Sequence, residues 1–221
     1  MSLESLEKIL QVKFKDSSIL KRALTHPSLG KTRPNYERLE FLGDSVLGLI
    51  ISAELFTRYP EEAEGELTKR LAGLICGDTL VEVSQHLGLG EHILMSASER
   101  NSGGIESKTN LENVMEAIIG AIYLDQGFEA AKKFVLQEWE ILINKMVEPP
   151  KDAKSSLQEW AQGRGLPLPD YVVVSQDGPS HAPDFKISVT VEGFPAEIGT
   201  GTSKREAEQK AAAKLFAVLR E

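Results

Sequence analysis

Apolar residues recur every three or four positions along the first two thirds of the chain. That spacing predicts helices over residues 3–10, 17–25, 36–59, 65–75, 78–87, 110–124 and 128–146. Asp78 reads as the N-cap of the fifth helix. No run in this part alternates with period two, so an all-α N-terminal domain is expected. Val147-Glu148-Pro149-Pro150-Lys151-Asp152 closes it, since two consecutive prolines stop a helix and form a short, stiff spacer. The pattern then changes. Residues 155–164 are helical up to Gly165 and Pro167, and residues 171–176 are rich in β-branched side chains. Residues 185–192 alternate strictly, with Phe185, Ile187, Val189 and Val191 on one face and Lys186, Ser188, Thr190 and Glu192 on the other. Residues 194–199 make a third expected strand. Residues 203–219 make a last helix, capped by Ser203 and striped by Ala207, Ala211, Leu215, Val218 and Leu219. The order α-β-β-β-α predicts a small α+β domain whose two helices cover one face of a three-stranded sheet. The boundaries so read are 1–147, a linker over 148–153, and 154–221.

Composition narrows the class. The 221 residues are 41% hydrophobic and 26% charged, which excludes a disordered chain. No apolar run approaches the roughly 18 residues that would span a bilayer. Met1-Ser2-Leu3-Glu4-Ser5 lacks a basic stretch leading into an apolar one, so a cytoplasmic setting without a membrane partner is expected. The single cysteine, Cys76, excludes an internal disulfide and a cysteine zinc site, and reads as buried helix packing. The net charge of −8 has the wrong sign for a simple nucleic-acid binder. It is unevenly spread, however. Residues 151–221 hold 9 basic and 10 acidic side chains, and residues 1–150 hold the other 16 and 23. The acidic excess of the helical part is either solvated surface or a set of carboxylates collected for cations.

Placement on the helices bears on that choice. At 100° per residue, Glu37, Glu40 and Asp44 fall within about 60° of one another. Leu39, Leu42, Val46, Leu49 and Ile50 lie opposite. Such a stripe is ordinarily a solvent face. Here it continues into Gly48 and Ile51, and residues 46–51 are apolar all round, as if the next turns were buried on every side. Like charges at the mouth of such a helix repel unless a cation joins them. Residues 110–124 repeat the design. Asn113 and Glu116 lie about 60° apart, every residue from 117 to 124 is apolar, small or aromatic, and Ala117, Gly120 and Ala121 let another helix come close. Oxygen donors on two such helices suit a hard cation such as magnesium, which keeps several of its waters.

Glu37-Arg38-Leu39-Glu40-Phe41-Leu42-Gly43-Asp44-Ser45-Val46-Leu47 resembles the motif of the ribonuclease III family. Ala23-Leu24-Thr25-His26-Pro27-Ser28, Glu64-Gly65 and the run from Glu116 to Asp125 resemble its neighbouring segments, and the tail resembles a double-stranded RNA-binding domain. The resemblance covers essentially the whole chain. It implies a homodimeric endoribonuclease that hydrolyses double-stranded RNA to 5′-phosphate and 3′-hydroxyl ends with short 3′ overhangs. It implies magnesium as the cofactor, with manganese as a substitute, and roles in ribosomal RNA precursor processing and messenger turnover. By position it implies Glu40, Asp44, Asn113 and Glu116 as the metal centre, with Asp44 and Glu116 catalytic and Glu37 and Glu64 as auxiliary acids. One position departs, because the family pattern has Asp where this chain has Asn113. Glu112 does not simply replace it, pointing about 100° away around the helix. Three readings stand open: a neutral ligand, a water-mediated contact with altered metal affinity, or a catalytically weak RNA-binding protein that keeps the nuclease domain as a dimer scaffold.

Double-stranded RNA is recognised mostly by shape, through minor-groove hydroxyls and the phosphates between. The tail offers Gln158 and Glu159 on its first helix for ribose hydroxyls, and the 178–182 loop, with His181, for a second minor groove. Ser203, Lys204 and Arg205 at a helix N-terminus suit phosphates. Glu208 stands where many such domains carry a basic residue, and Gln209 and Lys210 are read as compensating for it. Dimerisation is assigned to the helical domain, with Phe41 as anchor.

Overall fold

The computed structural model divides into two compact units, residues 1–150 and 151–221. It describes residues 3–30, 34–147, 153–178 and 183–219. In the first unit the helices are α1 (Leu3–Leu10), α2 (Ser17–Ala23), α3 (Glu37–Arg58), α4 (Glu64–Leu74), α5 (Gly77–His86), α6 (Ala97–Asn101), α7 (Lys108–Gln126) and α8 (Phe128–Lys145). Each of the seven helices read from the spacing is present. The five-residue α6, too short to show a period, was missed.

The centre of this unit is the crossing of α3 and α7. From Ala117 to Ile122 every residue of α7 is buried, and Leu39, Val46, Leu47, Ile50 and Ile51 of α3 pack into the same core. The two backbones meet at Gly43 and Gly120. A Cβ on Gly43 would overlap the Glu116 carbonyl and approach the Gly120 nitrogen to 2.9 Å, and one on Gly120 would overlap the Leu39 carbonyl. Only glycine permits this approach. On the far side, Trp139 of α8 is fully buried and its indole N–H donates to the Leu74 carbonyl at 2.7 Å. Arg70 of α4, 2% exposed, pairs with Glu62 at 2.6 Å, stacks on Tyr59 and donates to the Met146 and Val147 carbonyls at the end of α8.

Three expectations about this unit are corrected. Leu49 is 58% exposed, as are Phe41 (77%) and Phe56 (73%), so α3 is not buried on every side. The three lie within about 80° of arc as an apolar stripe beside the carboxylates. Cys76 is exposed and is not core packing. It occupies the N-cap position of α5, one residue ahead of the helix and two ahead of Asp78, whose carboxylate instead pairs with Lys108 at 2.8 Å.

The second unit runs α9 (Ala153–Gln162), β1 (Asp170–Asp177), β2 (Asp184–Thr190), β3 (Glu197–Gly201) and α10 (Lys204–Val218). The sheet is antiparallel in the order β1-β2-β3, with one irregularity between Val173 and Ser175. Leu157 and Ala161 of α9, Val189 of β2, Val191 just beyond it, and Ala211, Ala212 and Leu215 of α10 form the core. Gly199 lets α10 lie directly on β3, since a Cβ there would overlap the Ala207 carbonyl. Two details differ from the sequence reading. The third strand begins at Glu197, because Gly193 at φ +85° and Pro195 turn the chain and send Phe194 against the Trp160 ring, 5.3 Å away. On α10 the buried stripe takes Ala212, while Val218 is 47% exposed.

Candidate active site

The glycine crossing sets the site. Asp44 follows Gly43 and Glu116 contributes the carbonyl on which Gly43 rests, so the backbone contact itself brings the two carboxylate-bearing turns together. Glu40 lies one turn before Asp44 and is half-buried. Burial and the charges of Asp44, Glu40 and Glu112 push the Glu116 carboxyl up to about 8. Burial, then Glu37, Glu112 and Asp44, raise Glu40. Glu40 and Glu116, on two helices, thus both feel the charges of Asp44 and Glu112. Glu37 is at the rim of this cluster, exposed and accepting from the Asn35 amide at 2.9 Å. Glu64 begins α4, is exposed, and accepts from the Thr68 hydroxyl at 3.0 Å. It is not among the charges that move Glu40 or Glu116.

Asn113 is half-buried one turn before Glu116 and is hydrogen-bonded to the Tyr36 hydroxyl. Tyr36, only 3% exposed, sits edge-on to His26 at 5.7 Å, and burial raises its phenol. His26 Nδ1 accepts the Ser28 N–H at 3.0 Å, and Nε2 lies 4.0 Å from Glu99, which accepts from Asn110 at 3.1 Å. A polar layer therefore backs the amide. Tyr36 escaped the sequence reading, and Glu112 was weighed there only as a replacement for Asn113 and set aside. Glu112 had a detectable signal, because it stands four residues before Glu116 and so only about 40° from it around α7.

The donor set is carboxylate and amide oxygen, the chemistry of a hard cation. Among the described residues no three carboxylate, imidazole or thiol groups converge tightly enough to chelate a bare ion. Carboxylates that raise one another's proton affinity across a buried crossing fit an ion that keeps part of its water shell between them.

On the second unit Gln158 and Glu159 are exposed on α9, and Lys204 and Arg205 are exposed in the first turn of α10. Ser203 caps that helix by accepting the Glu206 N–H at 3.2 Å. Lys210 pairs with Glu206 at 2.7 Å, and Glu206 also accepts from the Thr202 backbone and hydroxyl, which together hold its carboxyl down to about 2. The Gln209 side-chain amide oxygen accepts the Ala153 N–H at 3.0 Å, binding α10 to the start of α9. Glu208 is neutralised within the domain by Lys154 at 2.5 Å, whose ammonium lies 4.6 Å from the Tyr171 ring. His181 lies outside the described residues.

A helical unit with a buried carboxylate crossing, followed by an α-β-β-β-α unit with exposed cations at a helix start, defines a nuclease joined to a double-stranded RNA-binding domain. Residues 16–142 match the Ribonuclease-III-like family and residues 153–219 the double-stranded RNA binding motif. The chain is 50% identical over 214 residues to Ribonuclease 3 of Wolbachia sp. subsp. Drosophila simulans (strain wRi), covering 95% of this chain and 92% of that one. It is 49% identical over 217 residues to Ribonuclease 3 of Ehrlichia chaffeensis, covering 97% and 96%. Among solved structures, the nuclease domain of ribonuclease III from Campylobacter jejuni, described for flexibility in a region involved in dimer formation, superposes with a TM-score of 0.62. It shares 45% identity and covers 63% of this chain and 97% of that chain. The chain belongs to the ribonuclease III family. It is an endoribonuclease of double-stranded RNA, and among the described residues no helix is long and apolar enough to cross a membrane.

Proposed function

We propose that this chain is a magnesium-dependent, homodimeric enzyme that hydrolyses double-stranded RNA to 5′-phosphate and 3′-hydroxyl ends, acting in the cytoplasm on ribosomal RNA precursors and messengers. The observation that carries the reading is the α3–α7 crossing, which gathers Glu40, Asp44 and Glu116 in a chain that also bears an RNA-binding unit. Glu40, Asp44, Glu116 and the Asn113 amide oxygen would hold the ion, with manganese able to replace it. Bound there, the ion would activate a water for attack on phosphorus and stabilise the departing 3′ oxygen. The protein's own part is placement. The Gly43–Gly120 contact fixes the spacing of the two acidic turns, and Tyr36 holds the Asn113 amide in one orientation. Burial keeps the developing charge in a medium where oxygen ligands act strongly. No covalent intermediate is needed, since water is the nucleophile and the phosphate stays on the 5′ oxygen of the downstream fragment. Glu37, at the rim of the cluster, and Glu64, at the start of α4, would act as auxiliary acids.

The exposed stripe of Phe41, Leu49 and Phe56 on α3 supports association about a two-fold axis, in which two sites face one duplex and each cuts one strand. In the second unit Gln158 and Glu159 meet ribose hydroxyls, while Ser203, Lys204 and Arg205 meet phosphates. His181 would reach a second minor groove, and Lys210 would meet a phosphate by exchanging its Glu206 partner.

The test is labelled duplex RNA incubated with the full chain, with magnesium and with chelator. Magnesium-dependent shortening to products carrying 5′-phosphates is expected. Duplex binding without cleavage at any magnesium concentration would instead establish the RNA-binding scaffold that Asn113 allows.

A further inference from the structure

Substituting Asn113 for the family's Asp removes one negative charge from the centre, yet the chain places another carboxylate beside it. Glu112 precedes Glu116 by one helical turn, lies about 40° from it around α7, and is half-buried. Its carboxylate is lodged over the first residue of α5. A Cβ on Gly77 would come within 2.8–2.9 Å of both carboxylate oxygens and the carbon between them, so the absence of a side chain at Gly77 is what gives Glu112 its seat. From that seat its charge is felt at both Glu40 and Glu116, on two different helices. Lys108, one turn before Glu112 on α7, is committed to Asp78 at 2.8 Å. Glu112 has no salt bridge among the described pairs, and it stands one turn from Glu116 on the same side of α7.

From this placement we infer that Glu112 supplies the centre with the negative charge that Asn113 lacks, acting through water on the bound cation and not as a direct ligand. The inference rests on the metal-centre reading above. It makes Asn113 and Glu112 a matched pair, with the neutral amide as the near contact and the displaced carboxylate as the charge. Outer-shell partners of metal sites change affinity by roughly ten- to a hundredfold when removed, and Glu112 belongs at the lower end because its oxygens also face the α5 N-terminus.

The plain alternative is that Glu112 only caps α5, as carboxylates at helix N-termini do. The two roles predict opposite results for Glu112→Gln, which keeps shape and loses charge. Magnesium is titrated calorimetrically into the full-length apoprotein without RNA, and the metal-free melting temperature is recorded. If Glu112 serves the centre, Glu112→Gln weakens magnesium binding roughly tenfold and leaves metal-free melting unchanged or raised, because a repelling charge has gone. Adding Asn113→Asp to that variant then restores the affinity. Equal magnesium binding by wild type and Glu112→Gln, with a lowered melting temperature in the variant, overturns the inference and leaves Glu112 as a cap. A wild type that binds no magnesium, while Glu116→Gln likewise shows none, overturns the metal-centre reading itself. The two failures are thus distinct.

Discussion

Glu116 is the side chain on which chemistry and stability meet. Its carboxyl, ordinarily near 4.5, is pushed up to about 8 by burial and by Asp44, Glu40 and Glu112. The folded metal-free chain therefore keeps a proton that the unfolded chain releases at much lower pH. The sign follows: stability from this group is complete below about pH 4.5, declines as pH rises, and is gone above about 8. Melting temperature measured in chelator should fall across that window, and Glu116→Gln should remove much of the slope. The same substitution should abolish cleavage while leaving duplex affinity nearly unchanged, as read by gel shift in calcium or chelator. At Asn113 the expected gain is opposite. Asn113→Asp brings a charge to coordination distance and should lower the magnesium concentration for half-maximal cleavage, about tenfold for each 1.4 kcal/mol retained after desolvation. Coincident magnesium curves for the two forms would show that Asn113 does not touch the ion.

At the level of elements, the α3–α7 pair shows what a sequence discloses and what it withholds. The periodicity of residues 36–59 and 110–124 disclosed two helices, their acidic turns, and the small residues at Gly120 and Ala121 that allow close approach. It could not show which flank of α3 is left uncovered, because an apolar residue reads alike whether it meets the core or a second protein; Leu49 was therefore placed inside. Nor could it show Glu112 joining the cluster, since that depends on Gly77 of α5 arriving from elsewhere in the chain. Cys76 and Asp78 failed for a smaller reason: the helix starts one residue earlier than read, at Gly77, which moves the N-cap from Asp78 to Cys76. The crossing itself makes a sharp prediction. Gly43→Ala puts a methyl group onto the Glu116 carbonyl, and the helices must part, at a cost of roughly 3 kcal/mol or more. The variant should melt well below wild type and lose magnesium affinity. On the exposed flank, Phe56→Glu should leave the fold intact and shift the sedimentation of the full chain from dimer to monomer at micromolar concentration.

For the molecule as a whole, the division of charge and core between two units has consequences for how it meets RNA. Each unit has its own apolar core, so residues 1–147 alone should fold and keep the carboxylate crossing. They should still cut long duplexes at low salt, with a much raised RNA concentration for half-maximal rate, because the cations of α10 are gone and the remaining unit is acidic. Complete inactivity of that fragment at low salt and raised magnesium, with its helices intact by circular dichroism, would show that the centre needs the tail. In the second unit, the acid strength of Glu206 predicts local loosening only below its ordinary range, as pH falls from about 4.5 toward 2 and the Thr202 anchor is lost.

The contact between Gly43 and Gly120 is made of main chain alone, and main chain has no rotamers to exchange. A site positioned by interlocking side chains can loosen one side chain at a time. Here the acidic turns separate only if two long helices come apart, and that removes the centre of the core. Amide hydrogens around the crossing should therefore exchange with solvent only through global unfolding, with protection equal to the stability of the whole unit. Those of the solvent-exposed helix ends should exchange through small local openings. The working geometry of the enzyme would then persist almost unchanged until the temperature at which the unit melts, and be lost there in a single step.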